Sequence, residues 1–166
     1  MALKVPIRFK EEDGSGVHEA ERIFDMAEWY QLHYRTNNST ALVIARALDS
    51  FNLTVKEWAV LNVIASDTEG NLTTTEIANR FDMDVPQATV LLGGLVKKSL
   101  LRHKTSTKDR RVKYLSCTRE GKRVAFESDQ AIQKAMRYWL FDLSDVEIEQ
   151  YLRVMKKIAR FELPVS

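Results

Sequence analysis

The chain has 166 residues, 45% hydrophobic and 29% charged, enough apolar material for one folded domain and too much for an intrinsically disordered chain. Its longest apolar runs, residues 41–45 and 90–96, fall well short of the ~18–20 residues a membrane span needs, and its one cysteine, Cys117, excludes an intrachain disulfide framework. The net charge is only +2, but residues 97–123 hold eleven Lys/Arg against two acids, while the other 139 residues carry a net of −7. One basic segment on an otherwise acidic chain implies an anionic partner docking at a defined place.

The N-terminus shows no basic stretch leading into an apolar one, so no secretory signal is expected; with the lone cysteine this predicts a cytoplasmic protein. In residues 1–16, Leu3, Val5, Ile7 and Phe9 alternate with Lys4, Pro6, Arg8 and Lys10, which predicts an extended arm. Glu11-Glu12-Asp13-Gly14-Ser15-Gly16 reads as a flexible linker.

From Val17 to about Phe51 the period is helical. Ala20, Ile23, Phe24, Ala27, Tyr30 and Tyr34 recur at three- and four-residue spacing, and Leu42, Ala45 and Leu48 resume it. The polar stretch at residues 36–39 either breaks this helix or lies within it.

Three shorter helices announce themselves by their caps. Thr54-Val55-Lys56-Glu57, Thr73-Thr74-Thr75-Glu76 and Asp84-Val85-Pro86-Gln87 each place a short oxygen-bearing side chain before a helix, with Glu or Gln three residues on. Pro86 suits a first turn, where its missing N–H is not needed.

The period then changes. Leu101 to Thr105 and Arg111 to Leu115 both alternate around a charged tip, the pattern of a β-hairpin. Helical patterning returns from about Thr118 to Leu140, and Ser144-Asp145-Val146-Glu147 caps a last helix. The expected architecture is mainly α with a small β-hairpin wing: a winged helix-turn-helix flanked by N- and C-terminal helices.

In such a fold the second helix of the pair reads the major groove, which is wide enough for a helix and exposes a distinct donor/acceptor code. Here Ala88, Leu91, Leu92 and Leu95 form the expected buried stripe, leaving Gln87, Thr89, Val90 and Gly94 outward. Gln87 either caps its helix or bonds bidentately to adenine, and Val90 or the Thr89 methyl can meet a thymine methyl. On the hairpin, Lys104, Lys108, Arg110, Arg111 and Lys113 suit phosphates or a minor groove, with Asp109 orienting a neighbouring guanidinium.

Taken in order, Leu53-Thr54 before Glu57-Trp58-Ala59-Val60-Leu61, Leu72-Thr73 before Glu76-Ile77-Ala78, Lys98-Ser99-Leu100-Leu101-Arg102, Asp109-Arg110-Arg111, and Leu115-Ser116 before Thr118-Arg119-Glu120-Gly121 form one set of motifs. This set resembles the MarR (multiple antibiotic resistance regulator) family from Leu53 through Gly121, and Leu143-Ser144 with Glu147 resembles its closing helix. The resemblance implies a transcription regulator, a repressor, acting as a homodimer on a palindromic double-stranded DNA operator. It further implies a DNA interface of Thr73, Pro86, Gln87, Thr89, Val90, Lys104, Lys108, Asp109, Arg110, Arg111 and Lys113, in which Arg111 enters the minor groove and Asp109 tethers it.

On that reading residues 1–16 are an arm, 17–52 an N-terminal dimerisation helix region, 53–117 the DNA-binding lobe and 118–166 the C-terminal dimerisation helices. A small aromatic effector is implied as well, in a crevice lined by Trp29, His33, Tyr34 and Trp58, with Tyr30 and Arg35 nearby; by spacing alone the same aromatics suit a core or a dimer seam. One departure stands out: family members often carry Arg or Lys near the positions of Val90, Gly93 and Gly94.

The remaining readings are plain. Cys117, at the end of a wing strand, is expected to be a buried structural thiol rather than an oxidation sensor. His18, His33 and His103 are scattered, no metal-ligand spacing occurs, and no nucleophile–base arrangement is legible, so no metal, cofactor, catalytic residue or enzymatic activity is expected. No membrane partner is expected either. The rival to DNA binding is a winged-helix adaptor for protein partners, suggested by the apolar, glycine-bearing stretch Val90-Leu91-Leu92-Gly93-Gly94.

Overall fold

The computed structural model describes residues 4–13, 16–105 and 112–159. They fall into two compact units, Met1–Leu42 and Val43–Ser166.

The first unit opens with strands β1 (Lys4–Asp13) and β2 (Gly16–Asp25), paired antiparallel from Lys4 opposite Asp25 to Asp13 opposite Gly16. The helical reading of residues 17–25 is therefore corrected, as is the linker reading of residues 11–13. An extended segment leaves its backbone donors and acceptors open, and the chain following the reversal supplies them with partners. The register sets Arg8 across from Glu21 and Lys10 across from Glu19. Gly16 sits at φ +126°, a conformation that glycine adopts without a Cβ penalty.

Helix α1 (Met26–Leu48) starts where Asp25 Oδ1 accepts the N–H groups of Ala27 (3.1 Å) and Glu28 (3.0 Å). It runs unbroken through residues 36–39, so the polar stretch lies within one helix. Thr40 Oγ1 donates there to the Thr36 carbonyl at 2.8 Å.

In the second unit a single turn, Asp49–Phe51, leads to α2 (Val55–Ala65), α3 (Thr74–Arg80) and α4 (Val85–Lys97). Strands β3 (Leu101–Thr105) and β4 (Lys113–Cys117) follow, then α5 (Arg119–Trp139) and α6 (Asp145–Ile158). The second wing strand thus begins two residues later than its alternation suggested. The helix starts at Thr54, Thr73, Asp84, Thr118 and Ser144 all carry a side-chain cap, with full capping boxes at Thr54, Thr73 and Ser144.

Leu48, Val60, Leu61, Ile77, Leu92, Leu95 and Leu115 are fully buried and join α2, α3, α4, β4 and the end of α1 in one core. Each contributes on the order of 1.5–3 kcal/mol of apolar burial. No helix among the described residues is long and apolar enough to cross a membrane.

Candidate nucleic-acid interface

Two helices and a hairpin build the site. Between α3 and α4 the turn passes through Asp82 at φ +47°, a left-handed position that Asp tolerates. Asp84 then caps α4, its Oδ1 accepting the Gln87 backbone N–H at 2.6 Å, and Pro86 occupies the first turn. The two helices pack directly on one another.

Helix α4 divides cleanly into two faces. Ala88, Leu92 and Leu95 are buried in the core, while Val85, Pro86, Gln87, Thr89 and Val90 face solvent, Val90 with 77% of its surface exposed. Leu91, expected in the buried stripe, is half-buried and packs against the core edge. Gln87 shows no reach-back to the cap: among the described residues only its backbone is bonded, so its amide is open for reading. Thr89 Oγ1 donates to the Val85 carbonyl at 2.8 Å.

Gly94 is not outward, as the stripe had implied. A Cβ there would meet Glu57 Oε1 of α2 at 3.3 Å, so Gly94 faces the capping carboxylate of that helix. Gly93 is the outward glycine, with nothing within 4 Å of an added Cβ.

The C-terminal end of α4 is clamped to α2. Lys98 Nζ donates to both carboxylate oxygens of Glu57 at 2.8 Å and to the Asn52 carbonyl at 2.7 Å. Burial alone would raise the Glu57 carboxyl, but the bond from Lys98 and the Thr54 backbone N–H outweigh it and hold the group below its ordinary value. Sequence reading saw Glu57 only as a cap. Its partner lies 41 residues away, and no local spacing points to it.

The hairpin follows at once. Lys104 pairs with Tyr114 and Thr105 with Lys113, and Arg102, His103, Lys104 and Lys113 are all exposed. The wing is fastened at its base: Leu115 N–H donates to the Leu72 carbonyl (2.7 Å), Thr118 N–H to the Leu100 carbonyl (3.0 Å) and Thr118 Oγ1 to the Ser99 carbonyl (2.8 Å). The tip residues Lys108, Asp109, Arg110 and Arg111 lie outside the described residues. Thr73 is half-buried, its hydroxyl donating to Glu76 Oε2 (2.8 Å) and accepting from the Glu76 N–H (3.3 Å).

A helix pair with an exposed second helix and an adjoining basic hairpin is the geometry of a winged helix-turn-helix, and the comparisons with known proteins agree. A profile of the MarR family matches residues 51–112. The repressor MdtR of Bacillus subtilis (strain 168), an HTH-type transcriptional repressor, is 36% identical over 104 residues. Residues 51–112 of this chain thus match the MarR family.

The match to MdtR takes in 61% of this chain and 66% of MdtR, so it spans just under two thirds of that relative's length. Two solved structures share the fold. MepR of S. aureus, crystallised as a DNA complex, is 19% identical with a TM-score of 0.69, covering 82% of this chain and 97% of MepR. CouR of Rhodococcus jostii RHA1, bound to p-coumaroyl-CoA, is 22% identical with a TM-score of 0.70, covering 81% of this chain and 93% of CouR. The MarR family is one of transcription regulators rather than enzymes.

The residues singled out for a small effector divide between the two units. On α1, Trp29 and His33 stack with ring centroids 5.3 Å apart, and Tyr34 stacks on Tyr30 at 6.3 Å. Trp58 belongs to α2 and is half-buried against the core, its indole Nε1 buried without a hydrogen-bond partner among the described residues. Cys117 is buried, with Sγ 3.9 Å from the Leu61 carbonyl, and burial pushes its thiol up to about 11.

Proposed function

We propose that this chain is a homodimeric transcriptional repressor that binds a palindromic DNA operator. Each subunit sets the first two turns of α4 in the major groove and its β3–β4 wing against the neighbouring backbone and minor groove. The observation that carries the reading is the two-faced α4: Ala88, Leu92 and Leu95 lock it to the core, while Pro86, Gln87, Thr89 and Val90 stand free at the end of the helix that enters a groove. The wing adds Lys104 and Lys113, with Lys108, Asp109, Arg110 and Arg111 at its tip, and residues 97–123 supply the positive field. Thr73 holds the start of α3 beside this surface. MdtR is named a repressor, and MepR was crystallised with DNA.

Dimerisation is supported by α6, which buries none of its residues within the chain although Val146, Tyr151, Leu152, Val154, Met155 and Ile158 are apolar. A helix with that much open apolar surface wants a cover, and a second subunit supplies it. On this reading residues 53–117 are the DNA-binding lobe, residues 118–166 with α1 form the dimer, and the protein works in the cytoplasm. A small aromatic effector is supported by the buried Trp58 indole N–H, which has no hydrogen-bond partner among the described residues, and CouR was crystallised with p-coumaroyl-CoA.

Fluorescence anisotropy on mixed genomic duplexes at several salt concentrations tests the proposal, with wild type beside Arg111→Ala. DNA binding requires affinity that falls steeply with salt, and a variant that loses about 1–3 kcal/mol or a unit of salt slope. Absence of binding at low salt would hand the lead to a protein adaptor that uses the apolar face of α4.

A further inference from the structure

We infer that α4 selects its half-site by the 5-methyl groups of thymine, through a charge-free strip of Thr89 and Val90 that the bare backbone at Gly93 lets approach the base edges. This rests on the DNA-binding reading above and names what that reading leaves open, the chemistry of the bases chosen.

Three observations carry it. First, no residue from Val85 to Val96 is charged, so the helix face offered to a groove has no guanidinium or ammonium for guanine O6 and N7. Second, the groups it does offer are methyls. Val90 is largely exposed, and Thr89 commits its hydroxyl to the Val85 carbonyl at 2.8 Å, which leaves the γ-methyl as its free end. In the major groove only thymine presents a methyl, so an apolar strip has one complementary base edge to bury. The open amide of Gln87, one turn earlier, fits the adenine N6 and N7 pair and leads to the same class of A·T-bearing half-site.

Third, nothing among the described residues calls for a glycine at position 93. A Cβ there would touch nothing within 4 Å, while glycine in a helix interior is unfavourable against alanine. Gly93 lies three residues beyond Val90, on the same face. A missing side chain at that place lets the helix axis come closer to whatever the face meets. The contrast with Gly94, where an added Cβ would sit 3.3 Å from Glu57 Oε1, separates the two glycines: one is hemmed in by the fold and the other faces outward.

The test uses the full chain and a pool of random-sequence duplexes of about 30 base pairs, from which bound molecules are recovered and sequenced. The recovered duplex is then remade with deoxyuridine in place of thymidine, which deletes only the methyl. Thymines are expected at the central positions of each half-site. The uracil duplex should bind wild type roughly fourfold more weakly per methyl contact, tenfold or more over two half-sites. Val90→Ala should bind the thymine duplex more weakly and lose most of its sensitivity to uracil. Gly93→Ala should melt a few degrees higher and bind more weakly.

Half-sites with guanine and cytosine at the positions under α4, or equal binding to both duplexes, would overturn the inference and leave DNA binding intact. So would a Val90→Ala variant as sensitive to uracil as wild type, since the effect would then reside in DNA shape. Recovery of no duplex at low salt would instead overturn the DNA-binding reading itself.

Discussion

Gly121 is the position where a single methyl group should do the most damage. It lies in the first turn of α5, and its N–H donates to the Thr118 hydroxyl at 2.9 Å. A Cβ built there lands on the Leu100 carbonyl oxygen, with the carbonyl carbon at 2.9 Å and Cα at 3.3 Å. These are backbone atoms held by the Thr118 N–H bond, so no side-chain rotation can clear them. Relief requires the start of α5 to back away from the end of α4 and the base of β3. In an open helix Gly→Ala stabilises by about 1 kcal/mol. Here overpacking costs about 1–3 kcal/mol, and moving Thr118 costs about 1 kcal/mol in its bond to Leu100 and about 1 kcal/mol in the cap. The net expectation for Gly121→Ala is a loss of about 2–4 kcal/mol. For a chain of this length that lowers Tm by roughly 4–16 °C.

Thermal melting followed by circular dichroism measures it, with Gly93→Ala as the matched control. The same methyl in the same kind of element should raise Tm at 93 and lower it at 121. A Gly121→Ala variant as stable as wild type would refute the steric argument and show that the α5 start shifts freely against Leu100.

Other outcomes follow from single contacts. Lys98→Ala strands the Glu57 carboxylate and should cost about 1.5–3 kcal/mol near neutral pH. Because the folded Glu57 carboxyl lies below its unfolded value, that stability is present above about pH 4.5 and lost as pH falls through the folded value. The wild-type advantage over the variant should therefore shrink in acid, and urea denaturation at pH 7 and pH 4 would expose a constant difference if the pair were idle. Cys117, buried and with its thiol raised to about 11, should resist an aromatic disulfide reagent at pH 8 until denaturant is added. Rapid stoichiometric labelling of the native protein would contradict that placement. Trp58→Phe removes an unpartnered buried N–H, so its stability should stay within about 1 kcal/mol of wild type. If an aromatic carboxylate shifts the wild-type melt, the variant should lose that shift.

The legible parts of this chain are those fixed by local chemistry. Thr54, Thr73, Asp84 and Ser144 announced helix starts because a short oxygen side chain has one efficient use before an orphan N–H. The wing strands were legible from alternation. What failed were decisions taken at a distance. Residues 17–25 carry helical spacing, yet they pair with a strand that precedes them across a reversal. Glu57 and Lys98 each satisfy a local pattern, and their union depends on how α4 crosses α2. Gly94 and Gly93 are neighbours of one type, and only the packing of α2 tells the inward from the outward. Gly121 stood closest to being read. A glycine at the third position of a well-capped helix, where Glu or Gln completes a capping box, is already a sign of close approach.

The bracing of the reading elements constrains how binding could be regulated. One end of α4 is held by the Asp84 cap, the other by Lys98 on Glu57 and Asn52, and the wing base by Leu115 on Leu72 and Thr118 on Ser99. These bonds join α2, α3, α4, β3, β4 and the start of α5 through a single core. To tilt α4 alone, a signal would have to break the Glu57–Lys98 pair and leave a largely buried carboxylate without its cation. To swing the wing alone it would have to release Thr118 from two carbonyls. Moving the lobe as one body breaks none of these bonds, and packed units shift as wholes more readily than they deform. In the proposed dimer, an effector that weakens DNA binding is therefore expected to change the distance between two intact lobes. Lys98→Ala separates the alternatives. If α4 were the moving part, freeing its end would alter effector response as well as stability; if the lobe moves whole, the variant should lose stability and keep the response.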